Sequence, residues 1–277
     1  MNVVRHTDLD AFLAAAAPML VRGPANAAAM RGWASAVRQR GAVDRAYLAT
    51  YEDGASTGAA VQRGEGPLAL FDSDPPAATA FAVDLAAEFP ELAGVAGALP
   101  ACKAFAASWR TLTGRRDRQR LHMRNHVLAG LVRPAMPPGL ARVAGDGDLG
   151  WLLDAQSAFS VEARVPASRA AIERDVAQRL AAGGYRIWEN EGRVAYAGFG
   201  LAGDDAARIA PVYTLQEHRA RGYASALVAG VAGELLAAGR EVFLVTDVAN
   251  GTSNALYARL GFRPLDDIFH FDLVAGA

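Results

Sequence analysis

Pro211-Val212-Tyr213-Thr214, followed shortly by Arg219-Ala220-Arg221-Gly222-Tyr223-Ala224, decides the reading of this 277-residue chain. The first stretch reads as the end of a strand, and an apolar helix over 225–238 follows the second, so Arg219 to Ala224 form a tight basic turn between them. A turn of this kind suits a pyrophosphate. Ala220, Gly222 and Ala224 let the backbone come close, while the helix start offers unpaired N–H groups and the positive end of its dipole. Arg219 and Arg221 add charge to the anion site, and Tyr223 is counted with the turn. Outward from it, 241–246 reads as a buried strand, and Asn250-Gly251-Thr252-Ser253-Asn254-Ala255-Leu256-Tyr257 leads into a helix closed by Gly261-Phe262. A dinucleotide fold is disfavoured: it wants Gly-x-Gly-x-x-Gly and an acidic residue after the next strand, whereas this turn has one glycine and two arginines and the next strand leads to an Asn/Tyr helix.

Over 212–262 the sequence resembles the GNAT superfamily of acyl-CoA-dependent N-acyltransferases. The family's Arg/Gln-x-x-Gly-x-Gly/Ala turn is matched by Arg219, Gly222 and Ala224. Its Asn seven residues before a Tyr, ahead of a Gly-Phe, is matched by Asn250, Tyr257, Gly261 and Phe262. The resemblance implies an α/β (α+β) fold with a mixed, mostly antiparallel sheet flanked by helices, and transfer of an acetyl group from acetyl-CoA to a primary amine. The amine belongs to a small molecule or a peptide.

Bulk properties narrow the field. A formal charge of −1 gives no general attraction to nucleic acid or to an anionic membrane, so anion binding has to be local. A single cysteine, Cys102, excludes an internal disulfide and a cysteine-rich metal site. The N-terminal residues lack the pattern of a signal peptide, and no apolar run reaches membrane-spanning length, so a cytoplasmic setting is expected.

Three prolines in Arg133-Pro134-Ala135-Met136-Pro137-Pro138-Gly139 disfavour both helix and sheet. We place a linker at 134–139, between an N-terminal domain over 1–133 and a cofactor-binding domain over 140–277. The two halves echo one another. Thr7-Asp8-Leu9-Asp10 and Asp146-Gly147-Asp148-Leu149 both read as helix caps, Pro24 to Met30 echoes Pro166 to Ile172, and Ala46 to Gly54 parallels Gly184 to Gly192. The halves diverge where chemistry would sit. In place of the basic turn the first half has Asp72-Ser73-Asp74-Pro75-Pro76, whose acids repel a pyrophosphate, and the segment 100–109 carries Phe105 and Trp109 but no phenol. The reading is of tandem GNAT-like domains, the first degenerate.

Acyl transfer to an amine needs a held thioester, help for the oxyanion and a proton for the leaving thiolate. The resemblance implies that the strand carrying Val212, Tyr213 and Thr214 is bulged and splayed, so that its free backbone groups bind the pantetheine arm. Pro211 fits either that interruption or an ordinary sheet edge. By the same resemblance Tyr257 is the general acid, while Asn250 and Asn254 touch the cofactor. The base stays open: the strand 208–213 carries no acid, and Glu162, Asp247 and His218 are the candidates beside a water relay or an already neutral amine. His122 and His126 share one strand face without a third ligand, so no metal is expected. A non-catalytic acyl-CoA sensor remains the alternative, favoured by the absent strand glutamate and opposed by Tyr257.

Overall fold

The computed structural model describes residues 2–19, 30, 46–63, 66–165, 167–203 and 205–276. It divides into two compact units. One comprises residues 1–125, 245–251 and 264–277, and the other residues 126–244 and 252–263. These units are a different division from the sequence halves, because each half lends short segments to the unit built mainly from the other.

The first unit begins with β1 (Val3–Arg5) and α1 (Leu9–Ala16), which Asp8 caps by accepting from the Ala11 N–H at 2.7 Å. A hairpin of β2 (Ala46–Asp53) and β3 (Ser56–Arg63) follows, then β4 (Leu68–Phe71), α2 (Pro75–Leu85), β5 (Gly94–Gly97), α3 (Leu99–Thr113) and β6 (Arg116–Leu128). The division between the units falls within β6, between Asn125 and His126. Pairing is antiparallel from β1 to β4, and β4 and β5 are parallel at Leu68–Val95 and Ala69–Ala96. The final strand, β12 (Phe262–Val274), pairs with β5 from Phe269–Gly97 to Asp272–Gly94. It brings Phe271 and Leu273 into a core with Phe81, Leu85, Phe105 and Trp109.

The second unit holds β7 (Leu140–Val143), α4 (Leu149–Glu162), α5 (Arg169–Ala181), β8 (Tyr185–Glu189), β9 (Arg193–Leu201), β10 (Ala206–Thr214), α6 (Tyr223–Ala237), the start of β11 (Glu241–Asp247) and most of α7 (Gly251–Arg259). Its strand order is β11-β10-β9-β8-β7, antiparallel except for β10 with β11. Each unit therefore carries the mixed, mostly antiparallel sheet expected of the α/β class. The element order of the two halves also agrees, apart from α5, whose place in the first half falls on residues 20–45, of which only Met30 is described. The echo of Pro166 to Ile172 by Pro24 to Met30 lies, Met30 apart, outside the described residues.

One local feature differs from the sequence reading. Asp148 does not give its carboxylate to the first turn of α4. Instead it takes the Gly145 N–H at 2.8 Å, both Arg142 amino groups at 2.6 and 2.8 Å and Arg193 at 2.7 Å, with 4% of its side chain exposed. A nearly buried carboxylate needs such partners, and two guanidiniums outcompete a helix turn. The proline-rich segment 134–139 lies in neither helix nor strand, and the Pro138 carbonyl accepts from the buried Trp188 indole at 2.9 Å. Gly139, at φ +98°, lies so close to the Glu189 carbonyl that a Cβ would fall 2.0 Å from it.

Gly261 has a comparable reason to be glycine. Its φ is +95°, a Cβ there would lie 1.8 Å from the Gly130 carbonyl, and residues 129 and 132 donate their N–H groups to the Gly261 and Leu260 carbonyls at 3.1 and 3.0 Å. The Gly-Phe at the end of α7 is thus where the backbone of residues 129–132 docks, with Phe262 buried in the core beside it.

Candidate functional site

The site begins with an irregular strand. Between Ile209 and Val212 the β10–β9 register shifts, with one extra residue in β10: Ile209 faces Phe199, and Val212 faces Ala197. This is a β-bulge. The Ala210 carbonyl, turned out of the ladder there, accepts from the Arg179 guanidinium on α5. On the other side of β10, parallel pairing with β11 covers only Ala206–Glu241, Ala207–Val242 and Arg208–Phe243. Beyond Arg208 β10 keeps β9 as its neighbour, through Val212–Ala197, Tyr213–Tyr196 and Thr214–Ala195. Backbone groups of 209–214 that face away from β9 are accordingly left outside the β10–β11 ladder, which is the splayed edge expected around Pro211, Val212, Tyr213 and Thr214.

The turn comes next. Ala220 stands at φ +59° and Gly222 at φ +86°, so two left-handed residues curl the backbone within three positions. Gly222 is the N-cap of α6 and offers no side chain to it. Among the described residues, the N–H groups of 220–225 donate to no protein acceptor; the first bond of the helix is Ala226 N–H to the Gly222 carbonyl at 3.0 Å. Six consecutive donors and the exposed Arg221 thus lie at or just before the positive end of a fifteen-residue helix. Tyr223 contributes only its backbone, since its ring is buried and its hydroxyl accepts from Asn190 at 2.8 Å.

Arg219 is engaged elsewhere. Its Nη2 lies 2.6 Å from Glu162 Oε2, its Nε donates to the Thr214 carbonyl at 3.1 Å, and its guanidinium sits 5.4 Å over the Tyr213 ring. Glu162 also accepts from the Tyr213 hydroxyl at 2.7 Å and from Gln216 at 3.1 Å, both on Oε1. Burial pushes the Glu162 carboxyl up, but the bonds from Tyr213, Gln216 and Arg219 and the charge of Arg219 outweigh it and hold the group below the usual range. A carboxylate so held is a weak proton acceptor. Tyr213, expected to matter through its backbone, thus carries a side-chain role the sequence did not reveal.

Tyr257 lies on α7, half-buried against the core of the second unit, with its ring 5.9 Å from Phe262 in an edge-on arrangement. Burial pushes its phenol up to about 12, and its hydroxyl has no hydrogen-bond partner among the described residues. A phenol in that state is fully protonated near neutrality and available as a donor. Asn254 is half-buried three positions earlier on the same helix, and Asn250 is exposed immediately before it, its N–H bonded to the Asp247 carbonyl at 2.9 Å.

The remaining candidates have other tasks. Asp247 shapes the loop before α7, accepting from the Ala249 N–H at 2.8 Å. His218 is half-buried beside Tyr223, the ring centroids 6.4 Å apart. His122 and His126 lie on β6 as read from the sequence; His122 bonds Asp267 at 2.7 Å and stacks on Phe269 at 4.2 Å, and no metal-holding cluster occurs among the described residues. Cys102 is fully buried and its thiol is pushed up to about 12, which removes it as a nucleophile.

Residues 191–269 match the family model described as FR47-like protein. No curated protein matches the sequence. Among solved structures the chain is similar to a GCN5-related N-acetyltransferase from Sphaerobacter thermophilus, with 19% identity over 100% of this chain and 97% of that one at a TM-score of 0.62. It is also similar to a GNAT-family acetyltransferase from Colwellia psychrerythraea, with 12% identity, 99% and 100% coverage and a TM-score of 0.60. A tandem GNAT protein from the clavulanic acid biosynthesis pathway aligns at 15% identity over 99% of this chain and 98% of that one, with a TM-score of 0.58. At these identities the likeness is one of fold.

Proposed function

We propose, from the premise that this chain has the GNAT acetyltransferase fold, that it transfers an acetyl group from acetyl-CoA to a primary amine by direct attack in a ternary complex. We also infer the tandem organisation, 1–133 and 140–277 joined by 134–139, in which only the second copy retains the cofactor site. The observation that carries the reading is the set of N–H groups from 220 to 225, without an acceptor among the described residues, at the uncapped start of α6. A diphosphate is the ligand whose charge and oxygens match it. Buried donors without acceptors are costly, and these remain open to solvent or to an anion.

In this mechanism acetyl-CoA supplies the acetyl thioester, and the chain does the rest. Ala220, Arg221, Gly222, Tyr223 and Ala224 hold the diphosphate through backbone N–H groups, with Arg219 and Arg221 adding charge. The unpaired edge of β10 at Val212, Tyr213 and Thr214 hydrogen-bonds the pantetheine arm and presents an N–H where charge develops on the thioester oxygen. Tyr257, kept protonated by its burial, gives its proton to the departing sulfur. Asn250 and Asn254 flank the arm at the start of α7. The acceptor is an amine of a small molecule or a peptide.

Calorimetric titration with acetyl-CoA, followed by a thiol-release assay over a panel of amines, tests the proposal. Binding with thiol release for at least one amine supports it. Binding without release from any amine turns the reading to an acyl-CoA sensor, and no binding removes both.

A further inference from the structure

We propose that Glu162 is a latch on the cofactor turn: it holds Arg219 while the turn is empty, surrenders it to the arriving diphosphate, and is thereby freed to accept the proton of the amine. The inference rests on the reading of 219–224 as a diphosphate site and extends it to the order of events.

The two oxygens of Glu162 are bound unequally, and that asymmetry carries the argument. Oε1 is anchored twice, by the Tyr213 hydroxyl at 2.7 Å and by Gln216 at 3.1 Å. Oε2 has one partner, the Arg219 guanidinium at 2.6 Å. Arg219 is the residue of the turn motif whose charge faces away from the anion cradle, and its other bond is a single one to the Thr214 carbonyl. When Arg219 leaves, Oε1 keeps the carboxylate in place and Oε2 is left with free lone pairs. Tyr213 lies on β10, at the splayed edge assigned to the pantetheine arm, so the freed oxygen belongs to a side chain that is tied to that edge.

Magnitudes favour the exchange. The Glu162–Arg219 pair is partly exposed, with 34% and 44% of the side chains accessible, and pairs of that kind are weak. A diphosphate offers a guanidinium more charge and a bidentate geometry that Oε2 alone does not. The same step changes the chemistry of the carboxylate: it loses a hydrogen bond and a neighbouring cation, two of the influences that hold its pKa low, while the burial that raises it remains. The proton balance is simple. An ammonium nitrogen gives one proton to Oε2, leaving a neutral amine with its lone pair and Glu162 as the acid, which later returns the proton to water.

The test is coenzyme A binding by calorimetry to the unmodified protein, Glu162→Gln, Arg219→Ala and the double variant, with the pH dependence of turnover at saturating acetyl-CoA. Removing the competitor is expected to tighten CoA binding about two- to fivefold in Glu162→Gln. Arg219→Ala weakens it, and in the double variant the gain from Glu162→Gln vanishes, because the two residues act through one contact. Turnover of Glu162→Gln falls and loses the acid-side decline that the unmodified protein shows. Equal or weaker CoA binding by Glu162→Gln, with Arg219→Ala still impaired, overturns the latch and leaves the diphosphate site standing. No CoA binding by the unmodified protein overturns both.

Discussion

Two helices, α2 and α6, follow corresponding strands of the two halves, and their N-termini are treated in opposite ways. At α2, Asp74 accepts from the Ala77 N–H at 3.0 Å, from Ser56 at 2.7 Å and from the Thr57 N–H at 3.2 Å. Its carboxylate occupies the place an anion would take, and Pro75 and Pro76 remove two further donors. At α6 the cap is Gly222, and the N–H groups from 220 to 225 have no protein acceptor among the described residues. The strands differ likewise: β3 and β4 pair without a register shift, whereas β10 is bulged before Val212. So do the later helices, where Phe105 and Trp109 of α3 stack 5.3 Å apart in a sealed core while the Tyr257 hydroxyl of α7 has no hydrogen-bond partner among the described residues. The order of elements is alike in the two halves, and among the described residues the three local departures from regular structure that make the candidate site lie in the second half.

The sharpest way to break this contrast is to write the cap of α2 into α6. In Gly222→Asp a carboxylate fills the cradle and an L-residue is forced to φ +86°; acetyl-CoA affinity should fall about a thousandfold by calorimetry. Gly222→Asn, which tolerates that backbone and carries no charge, should lose far less. Equal losses would mean that backbone shape, not anion binding, sets the effect. Tyr257→Phe extends the comparison to the later helix, making α7 resemble α3. We expect kcat to drop about a hundredfold with acetyl-CoA affinity changed no more than a few-fold. Parallel losses in both would reduce the phenol to packing. Because burial pushes the phenol up to about 12, no alkaline loss of activity below about pH 10 should trace to it, which a kcat profile of Tyr257→Phe against the unmodified protein checks.

How much of this was readable beforehand depended on distance along the chain. The turn, the bulge-prone Pro211 and the Asn250–Tyr257 helix are local patterns, and local patterns survive in a sequence. Asp72 and Asp74 of the first half were equally visible, although the cap that Asp74 makes had to be seen. Glu162 was among three candidate bases, but its pairing with Arg219 joins residues 57 apart and has no periodic signature. The same holds for the strand exchange: nothing in 264–274 states that β12 pairs with β5 rather than within its own half. Asp148 looked like Asp8 and became something else, because Arg142 and Arg193 converge on it from β7 and β9.

That last divergence yields the next prediction. The bonds from Arg142, foremost, and those from Gly145 and Arg193 hold the Asp148 carboxyl far below its usual range despite its burial. Its contribution to stability is therefore fully present above the unfolded carboxylate value, about pH 4, and is lost as pH falls through the lower folded one. Asp148→Asn should cost about 2–4 kcal/mol at pH 7 in urea unfolding, and the difference from the unmodified protein should shrink below pH 4. Asp8→Asn, at an exposed cap, should cost well under 1 kcal/mol. Asp74→Ala should fall between these two, at about 1 kcal/mol of stability with no CoA site gained, since the prolines of α2 still withhold donors.

The central claim is that the backbone from 220 to 225 embraces the diphosphate of coenzyme A. Residue-resolved amide exchange with and without coenzyme A addresses it directly. The account predicts protection concentrated at 220–225 and along 209–214, with none at 75–80. Protection elsewhere with 220–225 unchanged would contradict it.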